Sequence, residues 1–511
     1  MDFLGIFWNF KQETILLSIT VIFLLYIYAT RNFKYWSERG IPYFRPIPFV
    51  GNLKEVVTFQ RNIGFHLKHI YESVKGQPFK GFFIYDQPAL MITDLDLLKM
   101  IFQKDFQYFV DKGISITKHD KLLGDALFTL KGQLWKEKRT KLSPAFSTSK
   151  LKNMYELVDE KANTLIDYLS DFGRLEQPIF VKDLLGRYGT DIVASLAFGI
   201  ECNSVHDPHA DFRENLKYSF LFSKIGALKF IGTFVDLPLL KLWPVKTTSK
   251  KVEKYFQKSV WNVVKQRQNP GQQLMRNDYL ESLIRIADQF NNSKEHIEEN
   301  LKIDIVSQAY TFLAAGFETT SSTILFSLYH LAMKSEVQNK LRHEIQEAVE
   351  ANDGKLSYEV IHSLRYLDMV VSETLRLYPT MPILDRTCTK PFQIPGTNFV
   401  VDKGVHIFTS LLGIQRDPDL YPDPENFNPE RFSEENKRNR HKFAYMPFGE
   451  GPRICIGKRM ALMVAKNAIS RILLNYEVLP SKHTPSKLEF DVRTFLLTTS
   501  HEIPLVFKNL K

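Results

Sequence analysis

Residues 448–457 read FGEGPRICIG. One thiol, Cys455, sits there among three glycines, Gly449, Gly451 and Gly457, and a proline, with Arg453 two places upstream. Glycines permit backbone dihedrals and close approaches that side chains forbid. A thiol becomes a strong metal ligand when positive potential and amide donors hold it as thiolate; an apolar wall does the opposite. This loop offers both aids, because Arg453 is a fixed charge and a helix expected to begin near Lys458 or Arg459 aims its positive end back at the sulfur. The plainer reading is a small apolar filler at a helix start.

Upstream of the loop, VSETLRLYP (371–379) sets Glu373 and Arg376 three apart, on one face of a helix that Pro379 ends. Tyr366, Met369, Val370 and Leu377 share that face, so the ion pair is expected to be buried, where an unmatched charge is costly. A further polar partner is then needed, and Arg431 in NPERF (428–432) is the candidate. Further back, residues 299–333 contain no proline, which predicts one long central helix. Its middle, AGFETT (315–320), puts a glycine, an acid and consecutive threonines into an apolar run. The glycine weakens the helix by about 1 kcal/mol against alanine, and a threonine hydroxyl competing for a backbone carbonyl is expected to open a groove. A packing glycine beside a solvated Glu318 is the bland alternative.

The whole chain has 511 residues, 44% hydrophobic, 13% aromatic and 24% charged, the balance of a folded globular protein. The net charge of +10 comes from lysines spread along the chain without a basic tail, which is surface bias and not a nucleic-acid footprint. Cys202, Cys388 and Cys455 are far apart and form no CxxC, so neither a disulfide framework nor a four-cysteine zinc site can be built, and a reducing compartment is expected. Helical periodicity marks 150–170, 302–333, 335–351, 365–378 and 459–475; PALMITD (88–94) and FVVDKGVHIFTS (399–410) read as strands. The fold class is mainly α with small β-sheets, in one domain without repeats.

At the front, ILLSITVIFLLYIYA (15–29) with Thr14 and Thr30 gives an uncharged run of 17 residues. At roughly 1.5 Å per residue this is about 25 Å of helix, enough for a thin bilayer. No basic leader or convincing cleavage site accompanies it, so it reads as an uncleaved signal anchor. Arg31, Lys34, Arg39 and Arg45 follow it and Lys11 alone precedes it, which places the C-terminal body in the cytoplasm. The expected organisation is a short lumenal terminus (1–13), a transmembrane anchor (14–30), a basic and proline-rich linker (31–51) and a catalytic domain (52–511). Residues 216–245 are apolar but broken by Lys224, Lys229, Asp236 and Pro238; they suit buried core and a patch dipping into lipid headgroups equally well.

Phe448, Gly451, Arg453, Cys455 and Gly457 fit F-x-x-G-x-R-x-C-x-G, and with them the chain resembles the cytochromes P-450, where this is the haem-ligand signature. The resemblance implies the cytochrome P-450 fold, with haem b held by Cys455 and its propionates paired with Arg453. A thiolate on haem iron pushes electron density that favours O–O cleavage. LWKEKR (134–139) is similar to the family's W-x-x-x-R helix, which makes Trp135 and Arg139 cofactor contacts, together with Arg386 in LDRTCTK (384–390) and Phe448. AGFETT resembles the oxygen-binding motif, whose acid and alcohol, Glu318 and Thr319, relay protons; Phe317 is expected near the pocket. Glu373, Arg376 and Arg431 resemble the family's structural trio, although Gln415 stands where many relatives carry histidine.

The chain shows no nucleotide fingerprint, since GEGPRI lacks the third glycine, so electrons from NADPH must arrive through a separate flavoprotein reductase, with cytochrome b5 as a further partner. Lys136, Lys138, Lys141, Lys458 and Arg459 are the expected docking face. The pattern looks most like the insect microsomal class that oxidises lipophilic xenobiotics such as plant toxins and insecticides with O2, anchored in the endoplasmic reticulum membrane. Residues 105–130 and 212–245, rich in phenylalanine, are expected to shape the pocket. A biosynthetic monooxygenase for a hormone or fatty acid would use the same machinery. A haem-based sensor or carrier would keep Cys455 without needing Glu318 or Thr319. His206, Asp207 and His209, like His66 and His69, read as ordinary polar side chains and not as metal ligands, and Asn291-Asn292-Ser293 as an idle glycosylation signal.

Overall fold

The computed structural model describes residues 3–116, 120, 122–173, 177–220, 224–233, 248–268, 276–289 and 296–510. The helices predicted from periodicity lie at Thr148–Gly173, His296–Met333, Ser335–Glu350, Arg365–Leu377 and Lys458–Asn475. They pack around the 38-residue helix His296–Met333, here called the long helix, whose middle is apolar on all sides because other helices surround it. Its closest neighbour is the helix Val181–Val193, and glycine makes that approach possible: a Cβ on Gly189 would collide with Ser321 Oγ.

A four-stranded sheet forms the second layer, in the order Phe79–Ile84, Gln87–Ile92, His406–Ser410, Ile383–Thr387. The first two strands form an antiparallel hairpin turned at Tyr85 and Asp86, with Tyr85 at φ 56°. The second and third are parallel, with Ala89 opposite His406, which needs the long excursion through the helices. The fourth, at the edge of the sheet, runs antiparallel to the third with Arg386 opposite Ile407, and Arg386 is thereby fixed on a buried strand. Both faces of this sheet are covered, which is why burial runs along its strands without alternating.

The first helix spans Phe3–Thr30, and its segment Glu13–Thr30 is long and apolar enough to cross a bilayer. Ile15, Leu16, Leu17, Ile22 and Phe23 are exposed on it. The following segment, expected as a connector, lies on the sheet. Trp36 is completely buried, its Nε1 donates to the Phe82 carbonyl at 3.1 Å, and the indole sits where a Cβ on Gly81 would come within 2.6 Å of the ring. Arg31 pairs with Asp86 and Arg39 with Asp402, each at 2.8 Å, so two charges that signal orientation also fasten the chain to the body. Of residues 216–245, a helix at Lys224–Thr233 is seen, and the Thr233 carbonyl accepts from the Ser115 amide at 2.7 Å. Residues 221–223 and 234–247, and the sequon at 291–293, lie outside the described residues.

Candidate active site

The cysteine loop is built by two left-handed glycines, Gly449 at φ 72° and Gly451 at φ 76°. Gly451 is sterically required, since any Cβ there would run into the Phe102 carbonyl. Gly457 is different. It has an ordinary φ of −88° and caps the helix Lys458–Asn475, with open space around the position of a Cβ until Phe146 at 3.9 Å. The Cys455 amide donates to the Phe448 carbonyl at 2.9 Å, closing the loop, and the Gly457 amide is directed at the sulfur. Cys455 has accessible surface although protein encloses it. It therefore looks into an internal void.

Burial pushes the Cys455 thiol up, against the pull of the Gly457 amide, Arg139, Lys112 and Lys458. Desolvation of an enclosed anion outweighs a helix dipole and distant cations, and a coordinated metal ion is what deprotonates such a sulfur.

Cations crowd the same void. Arg453 stacks on Trp135 with 4.1 Å from its guanidinium carbon to the ring, and donates from Nε to the Val110 carbonyl and from Nη2 to the Leu130 carbonyl, both at 2.8 Å. Its Nη1 has no partner, and neither does the buried Nε of Arg386. Arg386 donates Nη1 to the Asp385 carbonyl at 2.8 Å and lies over Phe102. Burial first, and then neighbouring Arg386, pull Arg453 down to about 9; burial pulls Arg386 down to about 10. Arg139, one helical turn after Trp135, is likewise lowered by burial and feels Cys455. Lys112, which sequence reasoning missed, belongs here too. Its Nζ sits 3.7 Å over Phe128, and burial, with Arg386 and Arg453 adding to it, pulls it down to about 7 against Asp385 and Cys455. Two acids are present: Asp385 accepts from the Gly113 amide and Asp111 from the Gly132 amide, both at 2.6 Å, and Asp111 also stands 3.7 Å from Arg453 Nη2. Enclosed cations with orphaned N–H groups fit a ligand that brings carboxylates of its own.

The long helix contributes the opposite wall. Thr319 donates its hydroxyl to the Ala315 carbonyl at 2.6 Å, and Ala315, mid-helix, still has accessible surface. The helix runs unbroken, so the expected opening does not form; the hydroxyl takes the carbonyl four residues back without parting the turn. Glu318 is enclosed, touched by Ser322 Oγ at 3.4 Å, and burial pushes its carboxyl up. Phe317 is corrected. It lies half a turn from the face shared by Ala315 and Thr319 and packs on Gly189, away from that face.

The sequence profile of the family described as cytochrome P450 matches residues 41–505. Cytochrome P450 6k1 of Blattella germanica is 38% identical over 97% of both chains, cytochrome P450 6j1 of the same organism 39% identical over 96% of this chain and 97% of its own length, and probable cytochrome P450 6a14 of Drosophila melanogaster 37% identical over 96% and 98%. The chain belongs to the cytochrome P450 family. It is a haem-thiolate monooxygenase, with haem b as cofactor, electrons originating from NADPH, and O2 and a lipophilic compound as substrates.

In this cytochrome P450 Glu373, Arg376, Arg431 and Gln415 form a separate cluster around one bidentate ion pair. Arg376 donates Nε and Nη2 to the two Glu373 oxygens at 2.7 and 2.8 Å, with both side chains wholly buried. Arg431 approaches Glu373 at 3.5 Å. Gln415 donates Nε2 to the Leu375 and Arg376 carbonyls at 2.9 and 3.0 Å and accepts from the Met446 amide at 3.2 Å. The glutamine thus ties the end of the helix Arg365–Leu377 to the segment leading into the cysteine loop. Among the described residues no cluster of three or more metal-ligating side chains occurs. His66 bonds Glu55 and the Asn52 carbonyl, and His206 packs against Tyr168.

Proposed function

We propose that this cytochrome P450 oxidises lipophilic xenobiotics broadly, from the cytoplasmic face of the endoplasmic reticulum, with an NADPH-dependent flavoprotein reductase as electron donor and cytochrome b5 as a second. The observation that carries the site assignment is the convergence of Cys455, the buried Arg386 and Arg453, the half-buried Arg139 and Lys112 on one enclosed void. Cys455 Sγ is the iron ligand; Arg139, Arg386 and Arg453, with Trp135 and Lys112, hold the haem carboxylates; Phe448 backs the sulfur. Haem ligated by thiolate supplies activation of dioxygen for insertion of one oxygen atom.

Protein groups control protons around that chemistry. Burial keeps Glu318 protonated to higher pH than an exposed glutamate, so it has a proton to give; the Thr319 hydroxyl, donating to Ala315, can swing to pass it on. Such a pair serves oxygen insertion and has no use in a gas carrier. Glu373, Arg376 and Arg431 do no chemistry and position the cysteine loop. Exposed Lys136, Lys141, Lys458 and Arg459 offer the reductase a basic face, around the exposed apolar Leu134; Lys138, also expected there, is half-buried and engaged with Asp304.

The xenobiotic reading draws on likeness to insect relatives and is tested by turnover. Purified protein with reductase and NADPH should oxidise many members of a lipophilic panel slowly; a single fast substrate would identify a biosynthetic enzyme instead.

A further inference from the structure

The long helix and the helix Val181–Val193 cross antiparallel. The Leu185 carbonyl accepts from Ser321 Oγ at 3.0 Å, Gly189 faces the Phe317 carbonyl, and Val193 lies beside Gly316. The beginning of the shorter helix is therefore carried past Ser321, so that Lys182 lies on the Ser322 side of Glu318. Ser322 is the side chain that touches Glu318. The same beginning is sewn to the segment leading into the C-terminal strand Pro504–Asn509: the Val181 amide donates to the Ile503 carbonyl at 3.0 Å, the Asp183 amide to Glu502 Oε2 at 3.2 Å, and Lys182 Nζ to the Thr499 carbonyl at 2.6 Å. Glu502 lies at the surface with its carboxylate turned to the Asp183 amide, Lys182 is half-buried next to Asp183 in the chain, and Glu318 is enclosed by protein.

The charges facing Glu318 are few. Lys182 is the stronger and Arg213 the weaker, both favouring the carboxylate against burial. Arg213 is committed elsewhere, with Nη2 on Asp183 at 2.7 Å and Nη1 on Thr190 Oγ1 at 3.1 Å. Among the described residues Lys182 has a carbonyl, and no carboxylate, within hydrogen-bond distance of its ammonium, although Asp491 also feels its charge. Glu502 itself is pushed up by burial, opposed by the Asp183 amide and Lys182.

We propose that Glu502, Lys182 and Ser322 line the route by which Glu318 regains its proton from solvent. This rests on the reading of Glu318 as the proton donor of the site. In the step, the O–H bond of the Glu502 carboxyl breaks, water carries the proton past Ser322, and an O–H bond forms on the Glu318 carboxylate; no electrons move. Lys182 stays an ammonium throughout and stabilises the transient carboxylates as a positioning residue, and Glu502 is reprotonated from bulk water.

The test uses the full chain with reductase and compares Glu502→Gln, Lys182→Met, Lys182→Arg and Glu318→Gln. Product and peroxide formed per NADPH, the solvent deuterium isotope effect, and the infrared band of the protonated Glu318 carboxyl, assigned by its loss in Glu318→Gln, are measured. Glu502→Gln and Lys182→Met should raise the peroxide share roughly threefold or more with a larger isotope effect, and Lys182→Arg should restore the parent. The Glu318 band should persist to higher pH in Lys182→Met, because a cation favouring its loss is gone. If Glu318→Gln uncouples turnover while Glu502→Gln and Lys182→Met match the parent in every readout, this route is wrong and Glu318 keeps its role. If Glu318→Gln is silent, the reading of Glu318 fails and takes this inference with it.

Discussion

Two groups of arginines in this cytochrome P450 differ in how closely acids match their charge. Arg376 has both oxygens of Glu373 at 2.7 and 2.8 Å and Arg431 stands beside the same acid at 3.5 Å, while Arg453 has only Asp111 at 3.7 Å, Arg386 has no ion pair among the described residues, and Lys112 adds a third cation. A matched group is finished without a ligand and can only be broken. An unmatched one stores repulsion that an anion relieves.

The largest expected effect comes from breaking the matched group. Glu373→Gln strands two arginines and should cost about 3–5 kcal/mol of stability, seen as loss of soluble folded protein or a collapsed melting temperature. Next, Arg386→Met should act with opposite signs on two measurements. Haem release should accelerate about tenfold to a hundredfold, the loss of a charge-assisted bond worth roughly 1.5–3 kcal/mol, while the haem-free protein melts no lower than the parent because a repelling charge is gone. Equal damage to both would place Arg386 with the matched group.

Lys112 sharpens the comparison through pH. Its folded value is pulled down to about 7 from an ordinary 10.5, chiefly by burial. Between those limits the unfolded chain holds a proton that the folded, haem-free chain does not, so haem-free stability should rise with pH across that window. Lys112→Met should flatten the slope in a series of chemical melts. The smallest effect belongs to Gly457→Ala, about 0.5 kcal/mol at a helix cap with room for a methyl, whereas Gly451→Ala in the same loop should prevent folding of the site.

Much of this was legible from spacing. The strands at 87–92 and 406–410 and the helix ends near 333, 350 and 377 follow from short-range pattern, and so does the approach of Glu373 to Arg376 at three residues. Lys112 was not legible, because the groups that define it, Asp385, Arg386, Arg453 and Cys455, are brought to it by tertiary folding and nothing in VDKG marks a buried cation. Gln415 looked like a missing contact in sequence, yet it closes a hydrogen-bonded staple. Phe317 was within reach of helix arithmetic, since two residues from Ala315 is the far side. The sulfur's electrostatics were not, because desolvation depends on how much protein encloses Cys455.

The most direct measurement is the absorption spectrum of the reduced, carbon monoxide-bound protein beside that of Cys455→Ala. The parent should show the strongly red-shifted Soret band of thiolate-ligated haem, and Cys455→Ala should lack it even if haem is retained on its arginines. A parent spectrum typical of nitrogen ligation, or a thiolate band that survives in Cys455→Ala, would contradict the assignment of Cys455 as the iron ligand.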